Sequence, residues 1–213
     1  MKLHLGCGKR NFPGFINIDL ADFPHIHYKR SVDDLSIIED ASVDLIYASH
    51  VFEYFYPKDV PRVLKEWRRV LKPGGVLKIA VPDFGALARV YLERGDVAEI
   101  GGPILGLFSI VDADGEEIML RHNCLYDFRL IKKVLEENGF SGIKKYEWEK
   151  FLPEGEEDHS VAYLPRRDFN NGVLVSLNVE AEKSDAIQFG ITRISKNISK
   201  VIRKIKKQYD GRE

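Results

Sequence analysis

The sequence predicts an α/β fold, a doubly wound and mostly parallel sheet with helices on both faces. Short apolar runs alternate with segments of helical periodicity, and the crossovers between them are short. Strands joined through such crossovers run parallel in one sheet. The chain has 213 residues, of which 44% are hydrophobic and 31% charged, which is enough apolar material for one ordinary domain core.

Seven segments have the length and composition of strands: 2–5, 15–19, 25–29, 43–48, 76–81, 142–149 and 173–182. The third is the weakest, and the fourth and fifth are apolar enough to be buried. The last two are joined without a clear helix, which is typical of an antiparallel pair. We therefore expect a seven-stranded, Rossmann-like sheet with an antiparallel edge strand.

Helical periodicity and stop signals predict two helices in the sheet region. The first opens at Pro57 and ends before Lys72-Pro73-Gly74-Gly75, and the second covers 130–135 and ends at Asn138-Gly139. Residues 84–125 between them form a glycine-rich, partly helical insertion. We expect one domain over 1–185, followed by a basic amphipathic helix over 186–213.

Charge is unevenly distributed, although the net charge is only −1. Residues 191–209 contain seven Lys and Arg, no acidic residue and a stripe of Ile and Val. Such a helix docks on its own acidic body or on a second copy, lies on an anionic membrane surface, or contacts RNA phosphates. The sequence leaves these alternatives open, so a homodimer, a membrane contact and a nucleic acid all remain candidate partners.

Several protein classes are excluded by composition. No apolar run reaches the length of a membrane span, and the N-terminal apolar stretch is too short for a signal peptide. Cys7 and Cys124 are 117 positions apart, which gives neither a disulfide framework nor a metal-binding spacing. We expect a cytoplasmic protein, either free or peripheral at the inner membrane surface, with no metal site.

Polar and glycine residues follow successive strands. Gly6-Cys7-Gly8 follows the first strand, Asp19 ends the second and Asp33 follows the third. Ligands of open α/β sheets bind beside the carboxyl ends of strands, where an acidic residue accepts ribose hydroxyls. Each of these features alone is common in turns and caps, but their combination indicates an adenosine-containing ligand. A dinucleotide is excluded because Asn11 replaces the third glycine of its fingerprint and no crossover helix fits before Asp19.

Four stretches resemble the class I S-adenosylmethionine-dependent methyltransferases: Leu5-Gly6-Cys7-Gly8, Asn17-Ile18-Asp19, 42–53 and 71–77. The likeness covers about 2–150 and is greatest to a type 11-like, short-loop subgroup found among genes for polysaccharide biosynthesis. It implies S-adenosylmethionine as cofactor and S-adenosylhomocysteine as product. The residues it implies for cofactor binding are Gly6, Cys7, Gly8, Asp19, Leu20, Asp33, Ser49 and His50.

The acceptor is inferred from what the sequence has and lacks. The fourth strand ends without the Asn/Asp-Pro-Pro-aromatic tetrad of many amino-methylating enzymes, which favours oxygen. The resemblance then implies O-methylation of a saccharide or other small hydroxyl compound, with 84–125 helping to form the acceptor pocket. An RNA or protein methyltransferase that uses the basic tail is one alternative. A non-catalytic cofactor-binding protein is another, because Tyr54 stands where the subgroup has histidine.

Histidine is the general base best suited to a hydroxyl acceptor. His50 follows the fourth strand, at the methyl end of the cofactor by the resemblance, and His122 precedes the last helix, where similar proteins carry a histidine. Either could instead be a packing residue. Asp83 could orient the acceptor or cap a helix, and we interpret His159 as a residue of a surface loop.

Overall fold

The computed structural model describes residues 1–111 and 115–184. Its strands are β1 (Lys2–Leu5), β2 (Ile16–Asp19), β3 (Tyr28–Lys29), β4 (Val43–Ser49), β5 (Leu71–Pro82), β6 (Phe108–Val111), β7 (Glu117–Leu120), β8 (Phe140–Lys145), β9 (Tyr163–Leu164), β10 (Val173–Leu174) and β11 (Ser176–Lys183). Its helices are α1 (Val60–Val70), α2 (Phe84–Arg94), α3 (Val97–Leu105) and α4 (Phe128–Glu137). The predicted helix over 186–213, with the basic segment 191–209, lies outside the described residues.

A seven-stranded sheet in the order β3-β2-β1-β4-β5-β11-β8 forms the centre of the fold. Its strands are parallel except β11, which pairs antiparallel with both β5 and β8. The predicted fold class is confirmed, but the antiparallel strand lies one position in from the edge. β11 is buried along most of its length, whereas β8 is largely exposed beyond Phe140, so β8 occupies the edge.

The first helix begins three residues later than predicted. Residues 57–59 form a turn, and α1 starts at Val60 with Pro61 in its first turn. Proline is tolerated there because the backbone N–H that it lacks would have no hydrogen-bond partner within the helix. Its buried face includes Trp67, whose Nε1 donates to the carbonyl oxygen of Val32 at 2.8 Å. This contact joins the helix to the loop after β3. That strand covers only Tyr28–Lys29, so it is shorter than the predicted 25–29.

The predicted insertion at 84–125 contains α2, α3 and the hairpin β6–β7. Asp83 caps α2, since its Oδ1 accepts from the backbone N–H groups of Gly85 and Ala86 at 3.0 and 3.2 Å. The insertion therefore leaves the sheet directly at the carboxyl end of β5. No helix in residues 1–111 and 115–184 is both long and apolar enough to cross a bilayer.

Candidate active site

The loop after β1 contacts the loop after β4, and glycine is required there. Gly6 has φ +63°, and a Cβ at this position would stand 2.2 Å from Cγ2 of Val51. Gly8 has φ +52° and open space where a Cβ would be. The two loops therefore converge on one place at the carboxyl edge of the sheet.

Asp19 ties the β1 and β2 loops together. Its Oδ2 accepts from the N–H of Gly8 and its Oδ1 from the N–H of Ala21, both at 2.8 Å. The carboxylate is buried, and Leu20 beside it is half-buried. Two charge-assisted bonds to backbone amides thus hold the loop over which a ribose is predicted to bind.

Cys7 lies buried between these loops. Its Sγ is 4.0 Å from Nε2 of His25, which in turn is 2.9 Å from the carbonyl oxygen of Gly8. Burial, with the nearby charge of Asp19, raises the pKa of the Cys7 thiol to about 12. The thiol stays protonated at neutral pH, so this residue is suited to packing rather than to nucleophilic chemistry.

Asp33 is engaged with neighbouring side chains. Its Oδ1 accepts from the hydroxyl of Ser31, and its Oδ2 lies 2.5 Å from the guanidinium of Arg62. Burial opposes ionisation, but these two donors outweigh it and hold the pKa of Asp33 below its usual value. Its predicted contact with an adenine amine stays a prediction.

The end of β4 carries an unusual backbone conformation and an unpaired hydroxyl. His50 has φ +53°, which costs about 1–2 kcal/mol for a residue with a side chain. Ser49 is buried, and its Oγ has no hydrogen-bond partner within the described residues. Strained backbone and unsatisfied polar atoms at a strand's carboxyl end are typical of functional sites.

A buried carboxyl group joins the two predicted histidines. Oε1 of Glu53 lies 3.3 Å from Nδ1 of His50 and 3.6 Å from Nε2 of His122. Glu53 has no exposed surface, and within the described residues neither of its oxygens has a partner with hydrogen-bond geometry. The structure thus brings together two residues far apart in the sequence around an acid that sequence reasoning did not select.

Burial keeps this cluster uncharged near neutral pH. It raises the pKa of Glu53 to about 8 and, with the neighbouring His159 and His122, holds the pKa of His50 well below its usual range. Burial also lowers the pKa of His122, against the effect of nearby backbone carbonyls. Both imidazoles are therefore neutral at pH 7, and each has one ring nitrogen without a hydrogen.

Strand β11 and the segment before it complete the surroundings of His50. Its Nε2 lies 3.2 Å from Oγ of Ser176, and its ring centroid is 5.4 Å from that of His159. His159 is an exposed residue, as predicted, but it borders the site. Only the His50-to-Glu53 spacing of three residues could have signalled this cluster; nothing in the sequence pattern links Ser176 to it.

The polar groups at these strand ends fit S-adenosylmethionine. The cofactor presents hydroxyls, an amine and a carboxylate, and the site offers the unpaired hydroxyl of Ser49, the open face of Gly8 and the carboxylate of Asp19. Among the described residues no group of three or more His, Cys, Asp or Glu is arranged to hold a metal ion.

Comparison with known proteins gives two kinds of match. A family model described as a methyltransferase domain matches residues 16–79. A SAM-dependent methyltransferase from Methanosarcina mazei is 17% identical, with a TM-score of 0.50 over 86% of this chain and 92% of that one. No curated protein matches the sequence significantly.

A second structure shares the fold. The 1,6-didemethyltoxoflavin N1-methyltransferase of Burkholderia thailandensis, with 1,6-didemethyltoxoflavin and S-adenosylhomocysteine bound, is 13% identical. Its TM-score is 0.50 over 86% of this chain and 71% of that chain. The family model matches fewer than half of the residues, and the two structures show that this chain has the fold of S-adenosylmethionine-dependent methyltransferases.

Proposed function

We propose that this chain transfers the methyl group of S-adenosylmethionine to a hydroxyl oxygen of a saccharide or related small acceptor. The observation that carries the proposal is the neutral cluster of His50, Glu53 and His122 beside the glycine loop. A hydroxyl is a poor nucleophile, and a positioned base accelerates its reaction by about 10²–10⁴-fold. The choice of a saccharide rests on the resemblance to the polysaccharide-associated subgroup.

Each part of the site has a role in this reaction. S-adenosylmethionine supplies a methyl carbon on a sulfonium that leaves as a neutral thioether. Gly6–Gly8, Asp19 and Ser49 bind its polar ends, and His50 or His122 accepts the proton of the hydroxyl. Since little other chemistry is needed, alignment of the hydroxyl with the methyl group and exclusion of water supply much of the rate.

Calorimetric titration tests the cofactor half of the proposal. We expect micromolar binding of S-adenosylmethionine and S-adenosylhomocysteine, and no binding of NAD. Asp19→Ala should abolish the binding of S-adenosylmethionine and S-adenosylhomocysteine. Asp34→Ala changes an exposed aspartate paired with Arg30 and should leave this binding intact. Ser49→Ala removes a hydroxyl without a partner, so it should weaken binding and leave stability unchanged. Absence of binding by the wild type would remove the methyltransferase proposal.

Transfer of a labelled methyl group tests the acceptor half. A panel of mono- and oligosaccharides should include a substrate whose methylation falls about 10²–10⁴-fold in His50→Ala or His122→Ala. His27→Ala is the matched control, because this histidine is outside the His50 cluster. Its imidazole accepts from the backbone N–H of Asn17 in β2 at 3.0 Å. Methylation of RNA or protein but of no saccharide would replace the acceptor proposed here.

A further inference from the structure

A chain of hydrogen bonds runs from β11 to His50, and one end fixes its direction. Nδ2 of Asn178 donates to the carbonyl oxygen of Ser160 at 2.9 Å. The amide cannot be reversed there, since two acceptor oxygens would then face each other. Oδ1 of Asn178 therefore faces Ser176, whose hydroxyl donates to it at 3.0 Å.

This direction decides the tautomer of His50. The hydroxyl hydrogen of Ser176 is committed to Asn178, so Oγ accepts from Nε2–H of His50, 3.2 Å away. A neutral imidazole has a single N–H, and Nδ1 of His50 then carries a lone pair. That lone pair faces Oε1 of Glu53 at 3.3 Å.

Two acceptor atoms would oppose each other if Glu53 were ionised. A carboxylic acid removes the conflict, because its O–H can donate to Nδ1 of His50. Complete burial of Glu53, with no hydrogen-bond partner for either oxygen in the described part of the chain, independently favours the neutral acid. The 3.3 Å separation is long for a formed hydrogen bond, as is common for catalytic groups before substrate binds.

We propose that Glu53 is a positioning residue that carries a proton in the resting site and sets the tautomer of His50. When protonated, it donates to Nδ1 and keeps the hydrogen of His50 on Nε2. When its proton leaves for solvent, the carboxylate attracts the hydrogen to Nδ1, and Nε2 becomes the proton acceptor. The role in catalysis rests on the proposed function, in which His50 serves as base.

The histidines and tyrosines around this chain of hydrogen bonds do not supply the switch. The titratable groups that face it in the described structure are His122, His159, Cys124, Tyr54 and Tyr126. Burial raises the pKa of both tyrosines and lowers the pKa of His122, and partial desolvation lowers the pKa of His159, so these four are neutral around pH 8. Burial brings the pKa of Glu53 itself to about 8, within the range a cell can reach.

Nitrogen NMR of ¹⁵N-histidine-labelled protein measures the tautomer directly, without an acceptor or activity. Spectra of His50→Asn and His122→Asn assign the two rings. At about pH 6 the wild type should show Nε2–H at His50, changing to Nδ1–H with a midpoint near 8. In Glu53→Gln the side-chain amide donates permanently, so His50 should stay Nε2–H to about pH 10. Glu137→Gln, at the exposed end of α4, should behave as wild type.

A second variant keeps the test decisive if Glu53→Gln fails to fold. Ser176→Ala removes the oxygen that accepts from Nε2–H, so the resting tautomer loses support and the midpoint should fall by about one pH unit. An Nδ1–H tautomer at about pH 6 in the wild type would overturn the proposal. So would an unchanged transition in both Glu53→Gln and Ser176→Ala.

Calorimetry and NMR separate the two proposals. If S-adenosylmethionine does not bind but the tautomer switches, the proposed function fails and the assignment of Glu53 stands. If the cofactor binds and His50 does not switch, the function stands and Glu53 is only a packing residue. Once an acceptor is identified, the rate of methyl transfer by the wild type should rise with pH through about 8. The rate of Glu53→Gln should not show this rise.

Discussion

Asp19 and Glu53 are buried carboxyl groups at the same edge of one sheet, with opposite surroundings. Both oxygens of Asp19 accept from backbone N–H groups at 2.8 Å. Neither oxygen of Glu53 has a hydrogen-bond partner within residues 1–111 and 115–184, and its nearest polar neighbours are two neutral imidazoles.

The contrast separates a structural carboxylate from one available for proton chemistry. Both oxygens of Asp19 are occupied by backbone N–H groups of Gly8 and Ala21, so this side chain holds two loops in place. At Glu53, burial outweighs the opposing contribution of its own backbone N–H and raises the pKa to about 8, so its proton can be lost and regained near neutral pH. Burial alone does not distinguish the two residues, but the donors around each oxygen do.

The largest effect expected from this contrast is on stability against pH. A carboxyl whose pKa is about 8 in the folded chain, against a usual 4.5, binds its proton more tightly when folded. The free energy of unfolding should therefore fall as pH rises from about 5 to about 9. Glu53→Gln lacks this loss and should exceed the wild type by about 3–5 kcal/mol at about pH 9.

Denaturant unfolding at a series of pH values measures this difference, with Glu137→Gln as the control for loss of a carboxylate. The two curves should coincide at about pH 5 and separate above it. Parallel curves for the wild type and Glu53→Gln would show that the folded state does not hold the proton on Glu53.

A smaller effect of opposite sign is expected at Asp19. Asp19→Asn replaces one acceptor oxygen by an NH₂ group, which must face the N–H of Gly8 or Ala21. Two donors then oppose each other, and the free energy of unfolding at pH 7 should fall by about 1.5–3 kcal/mol. Asp22→Asn, at a half-exposed aspartate paired with Lys29, is the control and should change stability little. A loss no greater than that of the control would mean that the amide bonds do not hold the two loops.

The smallest effect is expected at the third carboxylate of this edge, Asp33. Its partner Arg62 is 60% exposed, and such surface ion pairs contribute about 0–1 kcal/mol. Arg62→Ala should thus lower stability by less than about 1 kcal/mol, and the difference should shrink as salt is added. A larger, salt-independent loss in urea titrations would show that this pair is part of the folded core.

The sequence predicts the frame of this molecule better than its chemistry. Alternating strands and helices, and the glycines and Asp19 at strand ends, follow local rules of periodicity and turn geometry that a single chain displays. The sequence predicts the antiparallel pair at one edge but not which of its two strands is outermost, because edge and interior positions depend on tertiary burial. The start of α1 was predicted at Pro57 instead of Val60, because proline is favourable in the first turn of a helix and both Pro57 and Pro61 satisfy that rule.

The cluster around His50 could be predicted only in part. His50 and His122 were selected individually from strand-end and family positions. Their meeting at Glu53 depends on how residues 84–125 return to the sheet, and the link to Asn178 depends on the register of β11 against β5. Long-range pairings of this kind leave no local pattern.

The left-handed backbone at His50 has a consequence for protein engineering. Stability optimisation treats a side chain at φ +53° as a defect, since glycine at such a position is more stable by about 1 kcal/mol. A design procedure that scores folding energy alone would therefore select His50 for replacement, together with Ala41 and Arg167, which have φ +51° and +63°. On the proposed function, a substitution that relieves the backbone at His50 would also remove a candidate base and inactivate the chain.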